Sequence, residues 1–164
     1  MRRISIIAGS VVAALATGGV LAVSGGAQDP DGQKLQLVTK NFRFKAIDVP
    51  PRRPGREPSG SGDNFVISAV VTNRAGARRG SFDAKCTVTR GGRNGRSLCE
   101  GVYALTEGQI FLKTRFVNSN DGDISGAITG GTRAYAGARG TLTSVDRRGE
   151  AGGDPSDDTL TLLP

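Results

Sequence analysis

The chain of 164 residues contains no histidine, no tryptophan, and only two tyrosines and two cysteines. The absence of histidine removes the commonest general base, any Ser-His-Asp triad and any histidine-based metal site. No strand–loop–helix unit is present to carry a Walker-type or GxGxxG phosphate loop, so the glycine-rich segments do not indicate nucleotide binding. We therefore expect neither a cofactor nor a bound metal. Because tryptophan is absent and tyrosine is rare, the core is expected to consist of Val, Ile, Leu, Phe and Ala.

Glycine, in contrast, is abundant in this chain. There are 25 glycines against seven prolines, without a collagen period, which indicates many turns between short strands. Apolar residues make up 37% of the chain and its charges are dispersed, so a folded domain is expected. The length suits one domain and hardly two.

The N-terminus has the pattern of an export signal. Arg2 and Arg3 precede an uncharged run over 4–23, and small residues follow up to Ala27. This pattern predicts a cleavable signal peptide over 1–27, with Ser24 as the second choice of cleavage site, and a secreted, extracellular domain over 28–164. An uncleaved membrane anchor is the alternative, because the run is about long enough to span a bilayer. The residues beside the two arginines match a twin-arginine signal poorly, but the export route stays open.

The chain is basic, and most of its positive charges lie in predicted loops. Removing the first 27 residues lowers the formal charge from +7 to +5, since that segment has two arginines and no acid. A basic secreted domain favours anionic surfaces such as cell-wall polymers, although solubility alone also explains the charge. Aromatic residues do not interleave with the arginines as a base-stacking surface requires, so we expect no nucleic-acid partner.

The two cysteines flank a predicted hairpin. Residues 81–89 and 96–105 read as strands around a turn at 91–95. If the turn is centred between Gly92 and Arg93, Val88 faces Ser97 and Cys86 faces Cys99, close enough to form a disulfide. The alternative, a redox or nucleophilic cysteine, is disfavoured because the chain has no histidine and the pair is not C-x-x-C.

The remaining sequence predicts further strands with short connections and no helix. A longer segment over 50–63 contains four of the seven prolines and predicts an exposed, flexible loop. About eight antiparallel strands form either a sandwich or a closed barrel, and a barrel of eight can hold one small ligand. The predicted strands cover 33–39 and 42–49 (one strand interrupted near Lys40 and Asn41), 65–72, 81–89, 96–105, 109–117, 123–129, 138–145 and 158–163.

The segment from Ile128 to Gly140 resembles the G-G-T-G-x-[FY]-x-x-A-x-G signature of plant dirigent proteins and, more loosely, of allene oxide cyclases. With the paired cysteines, the resemblance extends over about residues 33–163 and points to bacterial exported members of that barrel family. Its signature residues are Gly130, Gly131, Thr132, Tyr135, Ala138, Arg139 and Gly140.

The resemblance implies an all-β, calycin-type, eight-stranded antiparallel barrel with a mostly apolar cavity, and it implies a homotrimer. In that family the cavity guides cyclisation of an epoxide or orients phenoxy radicals and quinone methides, with acidic residues assisting ring closure. Beside the resemblance, the paired glycines allow a bulge between two strands, and Tyr135 can fold in as a plug. Arg133 occupies a position where glycine is usual, which predicts that one unusual backbone angle of the signature is missing.

Carboxylates and tyrosines are the remaining candidates for chemistry. We single out Tyr103, Glu100, Asp83, Asp123 and Arg115, the tyrosine as a hydrogen-bond donor and the arginine as a partner for an anionic group. In the hairpin register Asp83, Lys85 and Glu100 share one face, with Lys85 and Glu100 as an exposed ion pair. Tyr103 lies on the opposite face and is the better cavity candidate, although the sequence does not decide which face lines the cavity.

Three functions are compatible with this sequence. The barrel can be a non-catalytic binder of a small hydrophobic molecule, a cyclase or isomerase of the allene oxide cyclase or dirigent kind, or a structural or cell-surface interaction protein with a filled interior. The fold alone does not choose among them. The deciding feature is whether the interior holds an open, mostly apolar cavity with one or two buried polar groups.

Overall fold

The computed structural model describes residues 32–47, 60–92, 94–117, 123–147 and 155–163. The predicted export signal, and all but the last four residues of the proline-rich segment 50–63, lie outside these ranges. Within them, no helix is long and apolar enough to cross a membrane.

Eight strands close into an antiparallel barrel in which each strand pairs with its neighbours in the chain and the last pairs with the first. The closed barrel is therefore confirmed and the sandwich is not formed. The alternation of apolar and polar residues explains the closure, since one face of each strand can be buried inside and every edge is paired. The strands are β1 Gln33–Ile47, β2 Asn64–Thr72, β3 Arg78–Arg90, β4 Arg96–Leu105, β5 Gly108–Val117, β6 Ile124–Gly131, β7 Arg139–Asp146 and β8 Ser156–Leu163.

The hairpin of β3 and β4 has the predicted register. Cys86 lies opposite Cys99 and Val88 lies opposite Ser97. The two cysteines form a disulfide, and both are buried inside the barrel. The face that carries the cysteines is therefore the inner one, which the sequence left undecided.

Strand β1 is one strand with a bulge where the sequence predicted an interruption. Lys40 pairs with Val70 and Arg43 pairs with Ser68, so β1 has one residue more than β2 in this interval. Asn41 takes up the extra length in the left-handed region, with φ 57°. A bulge reverses which residues point inward. For this reason Thr39, before the bulge, and Phe42, after it, both line the interior.

The signature segment forms the connection between β6 and β7. Ile128 pairs with Leu112 and Gly130 with Phe111, which leaves Thr129 as a bulge. The bulge lies within β6 beside the paired glycines, not between two strands as expected, and neither Gly130 nor Gly131 has a positive φ. A Cβ atom on Gly131 would lie 2.2 Å from the carbonyl oxygen of Tyr135, so only glycine fits there. A single 3₁₀ turn, Arg133–Tyr135, follows and buries the Tyr135 side chain in the core.

The expectation for Arg133 was wrong. Its φ is 55°, so the left-handed angle of the signature is kept although the residue is not glycine. The surrounding backbone enforces this angle. The N–H of Tyr135 donates to the carbonyl of Thr132 at 3.0 Å, and the N–H of Ala136 donates to the carbonyl of Arg133 at 3.1 Å. These bonds outweigh a strain of about 1–2 kcal/mol for a residue with a Cβ in this region.

The inner faces are filled at one end of the barrel. This packed end is closed by Tyr135 and contains the larger apolar cluster, whereas the opposite end, here called the cavity end, contains a smaller cluster around the disulfide, formed by Phe65, Cys86, Val88 and Cys99. The cluster of the packed end consists of Leu37, Val71, Tyr103, Leu105, Ile110, Leu112, Ile128, Tyr135, Ala138, Leu142, Leu160 and Leu162.

Candidate functional site

A cavity of about 390 Å³ occupies the interior at the cavity end. Its walls are mostly apolar and include Ile67, Phe82 and Leu142. The disulfide forms part of the wall, so it holds β3 and β4 together beside the space where a small molecule would lie. The size falls within the range of small-molecule sites, which are concave, largely apolar and equipped with a few polar groups.

The floor of the cavity carries a buried cluster of polar side chains around Asp158. Tyr103 donates its hydroxyl to Oδ2 of Asp158 at 2.8 Å, and Thr39 donates its hydroxyl to the same oxygen. Ser156 donates to Oδ1 at 3.0 Å. Tyr103 and Asp158 are each only 2% exposed. Three hydroxyl donors on one carboxylate suit its ionised form, which only accepts hydrogen bonds.

Three strands bring this cluster together, because Thr39 lies on β1, Tyr103 on β4, and Asp158 and Ser156 on β8. On the inner face of β8, Asp158 is followed by Leu160 and Leu162. The cluster therefore lies at the boundary between the packed end and the open cavity.

The position of Tyr103 fixes its protonation state. Burial is the main cause that raises the pKa of its phenol well above the ordinary value, and the negative charge of Asp158 adds to the effect. The hydroxyl therefore stays protonated over the physiological range and remains a donor. Its ring packs on Phe82, with ring centroids 4.8 Å apart.

The structure separates the five sequence candidates. Tyr103 lines the cavity, whereas Glu100, Asp83, Asp123 and Arg115 are exposed. The alternation of β3 and β4 puts Asp83 and Glu100 on the outer face, as their parity with Lys85 suggested. Arg115 lies outside for the same reason, because it pairs with the exposed Leu98.

The predicted ion pair of Lys85 with Glu100 has a different partner. Lys85 does lie opposite Glu100, but the salt bridge joins Glu100 to Lys113 at 2.9 Å. Glu100 has a lysine across from it on each neighbouring strand, and the one on β5 makes the hydrogen bond. That bond is the largest of the causes that lower the pKa of Glu100.

Sequence reasoning missed Asp158, Ser156 and Thr39. A signal for the first two was present, because Ser156, Asp158, Leu160 and Leu162 alternate and must share one face of the last strand. For Thr39 no comparable signal exists, since the bulge at Asn41 changes the inward parity along β1. Among the small residues of the strands, Ala84 lines the cavity, whereas Ala127 is exposed on the outer surface.

None of the signature residues lines the cavity. They close the packed end beneath the floor. Among the described residues, no group of three or more Cys, Asp or Glu side chains is arranged to hold a metal ion.

The closed eight-strand architecture with its inner cavity is that of an allene oxide cyclase/dirigent-like barrel. The chain is similar to a pyocyanin demethylase, with 26% identity, a TM-score of 0.61, and coverage of 80% of this chain and 100% of that one. It is similar to a pterocarpan synthase dirigent protein at 14% identity and a TM-score of 0.58, over 84% and 99% of the two chains.

A third similar structure is a nonspecific heme-binding cyclase that catalyses a [4 + 2] cycloaddition during neoabyssomicin biosynthesis. It has 12% identity and a TM-score of 0.59, over 81% of this chain and 68% of that one. At this identity the likeness shows the fold alone. No protein-family model and no curated protein matches the sequence.

Proposed function

We propose that this barrel binds a small, mostly apolar molecule in its cavity and directs its cyclisation or isomerisation. The observation that carries the proposal is the buried Asp158 cluster at the floor of an otherwise apolar cavity. Apolar walls of this shape can hold a flexible substrate in a near-attack conformation. The structurally similar demethylase, dirigent protein and cyclase give the fold a precedent for chemistry on small molecules.

Asp158 and Tyr103 are the groups placed to move a proton. In an isomerisation, the Asp158 carboxylate accepts a proton from one atom of the substrate and returns it to another, so that no oxidant or reductant is consumed. The Tyr103 hydroxyl, kept protonated by its raised pKa, stabilises negative charge on a substrate oxygen or on the carboxylate. Asp83, Glu100, Asp123 and Arg115 take no part in this scheme.

The alternative is a non-catalytic structural or cell-surface interaction barrel. That function calls for an interior filled with side chains, as in the packed end. The cavity favours the binding function, because burying a carboxylate costs free energy that a purely structural, filled interior would avoid.

Binding to the cavity is tested by filling it. We expect the neutral fluorescent probe N-phenyl-1-naphthylamine to bind the wild-type protein at one molecule per barrel. Ala84→Leu places three further carbons in the cavity, and these displace a similar amount of the probe from the apolar walls. Since each buried methylene is worth about 0.8 kcal/mol, binding should weaken about tenfold or more. Ala127→Leu makes the same change on the outer surface and should leave binding unaltered. Equal binding by both variants would place the probe outside the cavity and contradict the proposal.

We also propose that the protein is secreted after cleavage of residues 1–27 and that it forms the homotrimer implied by the resemblance. The buried disulfide supports export, because disulfides persist in oxidising compartments. N-terminal sequencing of protein recovered from the medium should begin at Gln28. Retention of the first 27 residues in a membrane fraction would instead support the uncleaved anchor. Sedimentation equilibrium of the recovered protein tests the trimer.

A further inference from the structure

The lining of the cavity carries negative charge in a chain whose overall charge is positive. The formal charge of the whole chain is +7. Two acids, Asp158 at the floor and Asp146 towards the mouth, are among the residues that line the cavity, and no described lining residue is a lysine or an arginine.

The arginine next to Asp146 is engaged elsewhere. Arg147 donates from Nε to Oδ2 of Asp157 at 2.8 Å and from Nη2 to Oδ1 at 2.5 Å. This pair lowers the pKa of Asp157. Asp157 is not among the lining residues, so its pairing with Arg147 leaves the charge of the cavity lining as it is.

Asp158 has acceptor capacity left for a bound molecule. A carboxylate offers about four lone-pair positions. Among the described residues, its Oδ2 receives the hydroxyls of Thr39 and Tyr103, whereas its Oδ1 receives that of Ser156 alone. About one position on Oδ1 therefore remains, in a site where burial strengthens its attraction for a positive group.

Aromatic rings complete the environment. Phe42, Phe82 and Tyr103 all line the cavity. Ring faces attract cations, and delocalised organic cations lose less hydration energy on burial than compact ones. A carboxylate ligand would instead bring like charges together in a medium that screens them poorly.

We propose that the cavity selects a small apolar organic cation, such as an N-alkylated or protonated nitrogen heteroaromatic, over neutral and anionic molecules of the same shape. This inference rests on the proposed function, since it assumes that the cavity binds a small molecule. It names the charge of the substrate class: the positive group lies at Asp158 and the ring lies against the apolar walls.

The test uses three probes of nearly equal shape: N-methylquinolinium, 1-methylnaphthalene and 1-naphthoate. Titration calorimetry on the wild-type protein should rank them in the order cation, neutral, anion. The cation should bind about tenfold or more tighter than the neutral probe, because the buried carboxylate attracts a positive charge in a medium of low dielectric and the aromatic rings of the lining add to that attraction. Asp158→Asn should remove most of that preference and leave the neutral probe almost unchanged. Asp83→Asn, which removes an outer carboxylate, should alter neither.

The outcomes separate the two proposals. If the neutral probe binds as tightly as the cation, or the anion binds best, the charge selection is overturned while the binding cavity stands. If none of the three probes binds, the proposed function itself fails. The ranking on the wild-type protein needs no variant, so the inference is tested even if Asp158→Asn does not fold.

Discussion

The two ends of the barrel are built from the same eight strands but differ in how their inner faces are used. At the packed end, large aliphatic side chains and Tyr135 meet across the interior and fill it. At the cavity end, smaller and polar side chains, among them Ala84, Thr114 and Ser144, leave space between the walls. The boundary between the ends is the Asp158 cluster. The difference indicates that the packed end provides most of the stability, which allows the cavity end to keep an open site.

The largest difference between the ends should appear in the cost of truncating an inner aliphatic side chain. Leu160 is fully buried at the packed end, and Leu160→Ala should lower the free energy of unfolding by about 2–5 kcal/mol. Ile124, half-buried on the cavity wall, should lose much less on Ile124→Ala, because open space already adjoins it. Urea denaturation of both variants measures the difference. Equal losses would show that the cavity end is as tightly packed as the other.

The disulfide compensates for the missing packing at the cavity end. Removing it in the double variant Cys86→Ala, Cys99→Ala should lower the free energy of unfolding by roughly 3 kcal/mol, the value expected for closing a loop of this length. Alanine is the suitable replacement because both sites are buried and a serine would add an unpaired hydroxyl. Denaturation of wild-type protein in the presence of a reductant gives the matched measurement. A loss near zero in both experiments would mean that packing alone holds the hairpin.

The fold was largely predictable from the sequence and the site only in part, for reasons that lie in particular residues. The strands and the disulfide register follow from alternation and from one hairpin turn, both of which are local. Tyr103 was found because it shares a strand and a face with Cys99. The cluster at Asp158 joins residues 39, 103 and 158, whose proximity depends on closing the barrel between its first and last strands. The parity of Thr39 further depends on the bulge at Asn41, which no local pattern announces.

The burial of Tyr103 at the boundary between the two ends can be tested through the pH dependence of stability. Burial raises the pKa of Tyr103 well above 10.0, so above pH 10 the unfolded chain loses a proton that the folded chain keeps. The contribution of Tyr103 to stability should therefore be constant below about pH 10 and fall above it, by up to about 1.4 kcal/mol per pH unit. Tyr103→Phe should remove this slope.

Tyr135 supplies the comparison at the packed end. Burial and the charge of Glu107 raise its pKa, whereas Arg79 opposes the change. The contribution of Tyr135 to stability should also fall as the pH rises above about 10, but the fall should end at a lower pH, because its pKa is raised less than that of Tyr103. Urea denaturation between pH 8 and pH 11 measures both slopes in Tyr103→Phe and Tyr135→Phe. A Tyr103→Phe variant with the full wild-type slope would contradict the assignment.

The smallest effect compares two residues with positive φ, one at each end. Arg133 at the packed end and Asn41 at the cavity end have φ 55° and 57°. Arg133→Gly should raise the free energy of unfolding by about 0.5–1 kcal/mol, because relief of left-handed strain exceeds the greater freedom that glycine gives the unfolded chain. Asn41→Gly should change it by only a few tenths of a kcal/mol, since asparagine tolerates this region. Thermal and urea denaturation of both variants measure these changes in the free energy of unfolding. A loss of stability in Arg133→Gly would mean that the arginine side chain itself supports the 3₁₀ turn, so that the departure from the signature stabilises this end of the barrel despite the strained backbone angle.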